Sequence, residues 1–71
     1  MIRTPVLSSV LRSVGYDETN CTLEVEFLHG GIYTYSNVPE SRYSGLMSAP
    51  SKGEYFAEYI KKAGYGYRKV G

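Results

Sequence analysis

The sequence predicts a small α+β domain: an antiparallel β-meander of three to four strands covered by one short helix and one amphipathic helix. Three observations carry this reading. Apolar and polar residues alternate strictly through Thr22–Phe27, a glycine-rich turn separates that stretch from a second β-prone one, and helical spacing with a capping signature appears only in the C-terminal half. The chain has 71 residues, with 8 Lys and Arg against 7 Asp and Glu and one His, which describes one nearly neutral domain. Residues 1–9 read as an N-terminal extension and residues 10–71 as the domain itself. Ordering a chain this short costs on the order of 100 kcal/mol, at ~1.5 kcal/mol per residue, so each large apolar side chain matters.

In chain order, Val10, Val14 and Tyr16 place β-branched and aromatic residues at every second position of a first strand, and Asp17-Glu18-Thr19-Asn20 supplies the turn after it. In the next strand Leu23, Val25 and Phe27 share one face, while Glu24 and Glu26 share the other, solvated one. His29-Gly30-Gly31 forms a tight turn, and Ile32–Ser36 returns antiparallel. A three-residue loop of His29 to Gly31 pairs Phe27 with Tyr33 and Val25 with Tyr35, placing both tyrosines on the apolar face. The alternative, a two-residue loop at His29-Gly30, sets them beside Glu26 and Glu24 as an exposed aromatic pair. The first of these registers is preferred.

Val38-Pro39-Glu40 begins a helix, with Pro39 at the first helical position and Tyr43, Leu46 and Met47 at helical spacing; Gly45 and Pro50 keep it short. Ser51-Lys52-Gly53-Glu54 reads as a capping box in which the Ser51 hydroxyl accepts from the Glu54 amide and the Glu54 carboxylate reaches back. The helix behind it carries an apolar stripe of Tyr55, Phe56, Tyr59, Ile60 and Ala63. Lys61 and Lys62 suit the negative end of its dipole, and Gly64 suits the position just past its end. Tyr65–Val70 is expected to form a last, short edge strand whose charges discourage aggregation.

Composition excludes several function classes. No apolar run approaches the roughly 18 residues of a membrane span and the first residues lack a signal-peptide stretch, so a cytoplasmic protein is expected. The single Cys21 closes no disulfide within the chain and removes cysteine-based metal clusters, so neither a metal nor a cofactor is expected. His29 has no evident partner, and Glu24 and Glu26 have no nucleophile or metal beside them, so no catalytic residue is assigned and no enzyme is expected. Eight Tyr and two Phe without a Trp form an unusual aromatic set. Tyrosine both packs and binds, and Tyr16, Tyr43, Tyr55 and Tyr59 are assigned to the core.

Taken together, Ser13-Val14-Gly15-Tyr16-Asp17, Leu23-Glu24-Val25-Glu26-Phe27, Gly31, Tyr33-Thr34-Tyr35, Val38-Pro39 and Ala49-Pro50-Ser51-Lys52-Gly53-Glu54-Tyr55-Phe56 resemble the KTSC domain. That family is named for the lysyl-tRNA synthetase C-terminal domain. The likeness runs from about Val10 to Val70 and includes the central Tyr-x-Tyr. It implies contact with RNA, in the free-standing form that such domains take in bacteria and phages.

The residues themselves point to binding. Asp17–Glu26 carries four acids and no base, whereas Lys61–Gly71 carries Lys61, Lys62, Arg68 and Lys69 and no acid, so a molecule of net charge +1 has a basic end. Tyr65 and Tyr67 interleave with those cations and can stack on bases, as can Tyr33 and Tyr35. Ser51, Lys52 and Gly53 sit where unpaired helix amides can hold a phosphate. The leading expectation is a non-enzymatic binder of RNA or a small nucleotide. Near-zero net charge favours a compact ligand. One version is a phage protein, working in the host cytoplasm, that sequesters a host cyclic-nucleotide immune signal without hydrolysis in a pocket shared by two subunits of a homo-oligomer. The competing expectation is a protein-interaction or structural module with no nucleotide ligand.

Overall fold

The alternating stretch becomes the middle of a sheet. In the computed structural model, which describes residues 1–71, the strands are Thr4–Pro5 (β1), Leu11–Asp17 (β2), Thr22–Phe27 (β3), Ile32–Tyr35 (β4) and Tyr67–Lys69 (β5). They form one antiparallel sheet in the order β1-β2-β3-β4-β5. Between β4 and β5 the chain makes α1 (Glu40–Ser48) and α2 (Lys52–Phe56), and α2 runs directly into a π turn at Ala57–Lys61. The α+β class and the meander agree with expectation, with one strand more than three to four. The added strand, β1, lies within residues 1–9. Two residues are too few to show periodicity, and Pro5 is tolerated because β1 is an edge.

The core lies between sheet and helices. Leu11, Val14, Leu23, Val25 and Tyr35 enter it from the sheet, and Val38, Leu46, Phe56 and Ile60 from the other side. A β-bulge takes Val10 off the face that alternation gives it with Val14 and Tyr16: Leu11 pairs with Phe27 and Ser13 with Glu26, leaving Arg12 as an extra residue. The bulge reverses the alternation, so Leu11 enters the core and Val10 moves to the rim. The hairpin register also differs. Val25 pairs with Tyr33 and Leu23 with Tyr35, two residues away from the expected pairing, and the loop is Leu28-His29-Gly30. A shift of two keeps every side chain on its face, so both tyrosines still lie on the apolar side.

The helical layer follows its sequence signals with three departures. Pro39 is the N-cap of α1 and not its first residue. Of the capping box only the Ser51 half forms, its hydroxyl accepting from the Glu54 amide at 3.4 Å. The π turn shifts the apolar stripe: Phe56 and Ile60 stay buried, but Tyr59, expected in the core, is 46% exposed and Ala63 faces solvent. Tyr59 instead lies under the Arg42 guanidinium, 5.0 Å from its ring centre. The Tyr55 hydroxyl, and after it that of Tyr65, favours the charged form of Arg42.

On the outer face of the sheet the acids of β3 are not simply solvated. The Arg3 Nε donates to Ser13 Oγ at 3.0 Å, its guanidinium pairs with Glu24, and Ser13 Oγ donates to Glu26 at 2.9 Å. Arg3 reaches this position by crossing Gly15, where a Cβ would stand 2.8 Å from the Ile2 carbonyl oxygen. Gly15→Ala is therefore expected to push β1 off the sheet at a cost of about 1–3 kcal/mol. The Val6 amide, which donates to the Arg12 carbonyl at 3.1 Å, should lose hydrogen-exchange protection. Unchanged protection would show that β1 accommodates the methyl group.

Tyr16 closes the opposite end of the sheet. Its ring stacks on Tyr43 at 5.0 Å and its hydroxyl donates to the Val38 carbonyl at 2.5 Å. Burial, then the neighbouring Cys21 thiol and the charges of Glu40 and Glu18, push its pKa up from 10.0 to about 12. A phenol whose folded pKa is raised contributes stability that is complete below the unfolded value and is lost as pH rises through the folded one. Denaturant stability should therefore fall between pH 10 and about pH 12, and Tyr16→Phe should flatten part of that fall. A fall of the same size in Tyr16→Phe would assign it to the other tyrosines.

Candidate functional site

Between the β3-β4-β5 part of the sheet and α2 with its π turn lies a groove of about 600 Å³. Alternation sets its floor. Tyr33 and Tyr35 of β4 and Tyr67 of β5 project to the helix side, joined by Phe27 of β3 and Phe56 of α2. These five rings touch in a closed circuit: Phe27 meets Tyr33 at 5.6 Å, Tyr33 meets Tyr67 at 6.2 Å, Tyr67 meets Tyr35 at 5.6 Å, Tyr35 meets Phe56 at 5.4 Å, and Phe56 meets Phe27 at 5.4 Å. His29 extends the circuit by stacking on Phe27 at 5.5 Å. Gly31, with φ at +94°, lets the Tyr33 ring pass so close that a Cβ there would stand 3.2 Å from it.

The groove is aromatic with one cationic wall. Lys61 is the only charged residue in its lining. In an α-helix, turning about 100° per residue, residues four apart lie about 40° from one another, so Gly53, Ala57 and Lys61 fall on one face. The π turn, with its i→i+5 hydrogen bond from the Lys62 amide to the Ala57 carbonyl at 3.2 Å, keeps Lys61 on that face. Lys61 thus lines the groove with Gly53, Phe56 and Ala57, and π turns recur at functional sites. Lys69, opposite Tyr33 in the ladder, shares the helix-side face of the sheet, and its Cε lies 3.6 Å from the position of a Cβ on Gly31. Burial, then the neighbouring Tyr67 and Tyr33, raise the Tyr35 pKa above its ordinary value.

Of the residues singled out in the sequence, Tyr33, Tyr35, Gly53, Lys61 and Tyr67 meet at this groove, with Lys69 beside it. The others do not join them. Ser51 caps α2, Lys52 donates to the Ala49 carbonyl at 3.2 Å, and Lys62 pairs with Glu58 at 3.0 Å. Arg68 pairs in register with Thr34 and so points from the opposite face of the sheet, while Tyr65 packs against the core. Gly53 takes part through its small size: a Cβ there would meet Val10 at 2.8 Å. Sequence reasoning missed Val10, Phe27, His29, Phe56 and Ala57 as lining residues. His29 gave a signal, an imidazole in a turn beside aromatic residues, but only the fold shows that it stacks on Phe27.

The lining offers flat rings, phenol hydroxyls, one imidazole and one ammonium. It can stack on a planar ligand, donate hydrogen bonds to it and attract an anion. No group of three or more His, Cys, Asp or Glu side chains is placed to hold a metal ion, and no helix is long and apolar enough to cross a membrane.

Comparison with known proteins places this geometry among relatives. Residues 7–65 match the family model of the KTSC domain. An uncharacterized protein of Stutzerimonas stutzeri is 40% identical over 70 residues, covering 99% of each chain. A lysine–tRNA ligase of Nostoc punctiforme is 42% identical over 53 residues, which make up 75% of this chain and 9% of the ligase. The crystal structure of a KTSC domain protein from Yersinia pestis superposes with a TM-score of 0.93 at 44% identity, covering 99% of this chain and 97% of that one.

Proposed function

The chain belongs to the KTSC domain family, and from that premise we propose that it is a non-enzymatic binding module for a phosphate-bearing ligand with a planar ring, either RNA or a small nucleotide. The observation that carries this reading is the groove, in which a circuit of aromatic rings stands beside a single lysine. Its volume falls within the roughly 300–1,000 Å³ of small-molecule sites. Stacking on tyrosine faces with a basic flank is the chemistry by which single-stranded nucleic acids are held. The family supports the same direction, since relatives of this domain occur in lysine–tRNA ligases, whose name includes an RNA substrate. On this reading the domain acts in the cytoplasm. A phage-borne copy would sequester a cyclic nucleotide of its host by binding alone.

The test is a thermal-melt series against RNA oligonucleotides, linear and cyclic nucleotides, and inorganic phosphate. A ligand that binds only the folded state raises the midpoint, by about 2.7 kcal/mol of added stability at a hundredfold excess over Kd. Selective stabilisation by one class is the expected result, with that ligand recovered unhydrolysed. A flat panel together with a partner-dependent or self-associated complex would replace this reading with a protein-interaction module.

A further inference from the structure

The placement of the cations narrows the ligand beyond the class proposed above. Of the eight Lys and Arg side chains, five are already engaged: Arg3 with Glu24, Arg12 3.9 Å from Glu26, Arg42 over Tyr59, Lys52 on the Ala49 carbonyl and Lys62 with Glu58. Arg68 points from the far face of the sheet. Lys61 and Lys69 remain, one from the π turn and lining the aromatic groove, the other from β5 and beside it. No carboxylate lines that groove, and Lys61 would repel a bound cation, so the rings are not a cage for a quaternary ammonium. An extended nucleic-acid track needs a row of cations along the backbone, and here there is none.

We infer that the groove takes a mononucleotide-sized ligand: one flat base stacked on the aromatic circuit, carrying no more than two phosphate charges, with a phosphate seated against Lys61. This rests on the reading of the groove as a nucleotide site and adds to it the size and charge of the occupant. Lys61 reaches that position from the helix that walls the groove, on the face it shares with Gly53 and Ala57.

The test is titration calorimetry with nucleoside 5′-monophosphates, the matching nucleosides and a single-stranded RNA oligonucleotide over a range of KCl concentrations, for the natural chain and Lys61→Gln. Lys61 is exposed, so the variant should melt with the natural chain. Expected are a monophosphate that binds at least about tenfold more tightly than its nucleoside, loss of that advantage in Lys61→Gln, and an RNA salt slope no steeper than about −1.4, as two neutralised phosphates give. RNA binding with a slope steeper than about −3 and no monophosphate binding would overturn the compact ligand while leaving the groove reading in place. Retention of the phosphate advantage in Lys61→Gln would overturn Lys61 as its seat. Failure of every probe would overturn both readings.

Discussion

Leu46→Ala should destabilise the domain by about 2–5 kcal/mol, the cost of removing a buried leucine and leaving a cavity. Leu46 is fully buried and is the only buried residue of α1, so the helix is held to the core mainly through this side chain. The neighbourhood has little freedom to collapse into the gap, because the Tyr55 ring already lies so close to Gly45 that a Cβ there has no room. A chain of 71 residues at ~0.05–0.15 kcal/mol per residue has a total stability of only about 4–11 kcal/mol. The substitution therefore removes a large share of it. The melting midpoint should drop by roughly 10 to 40 °C, and urea unfolding should move to a much lower midpoint. Ser48→Ala, at the exposed end of the same helix, is the control and should stay within about 0.5 kcal/mol of the natural chain. A Leu46→Ala midpoint that matches this control would mean that α1 is held by Tyr43 and Tyr55 instead.

The parts of this fold that were readable in the sequence are those written in side-chain periodicity. Leu23 and Val25 alternate with acids, and both are buried; Ser51 stands three residues before Glu54, and it caps α2. What was not readable involves the backbone count. The bulge at Arg12 reverses the alternation without any compositional mark, so Leu11 rather than Val10 enters the core. A hairpin shifted by two residues keeps the same faces, so the pattern could place Tyr33 and Tyr35 on the correct side but could not choose their partners. The π turn is hidden for the same reason, since Ala57–Lys61 has the composition of an ordinary helix. By sequence Lys61 is a charge near a helix end, whereas its place in the groove comes from which face of the sheet that helix packs on. Arg68 shows the converse. It belongs to the basic segment by sequence, and strand alternation turns it away from the site.

Tyr67→Ala should separate binding from folding more cleanly than any other change in the aromatic circuit. Its side chain is 67% exposed and lies on an edge strand, so truncation opens no cavity, and stability should fall by only about 1 kcal/mol, the size of the cross-strand aromatic contact with Tyr35 that is lost. Tyr35→Ala cannot serve, because that ring is buried among core residues and its loss would be read as unfolding. Tyr67 nevertheless touches both Tyr33 and Tyr35 and offers the most open face of the groove. If a base stacks there, alanine should remove about 1–3 kcal/mol of binding, a 5- to 150-fold loss of affinity for a nucleoside monophosphate. Tyr67→Phe keeps the ring and drops the hydroxyl, so it should bind nearly as the natural chain does if stacking is the source of the affinity. A loss in Tyr67→Phe equal to that in Tyr67→Ala would assign the interaction to the phenol hydrogen bond. Natural affinity in Tyr67→Ala, with the chain still folded, would remove β5 from the site and confine binding to Phe27, Tyr33 and the Lys61 wall.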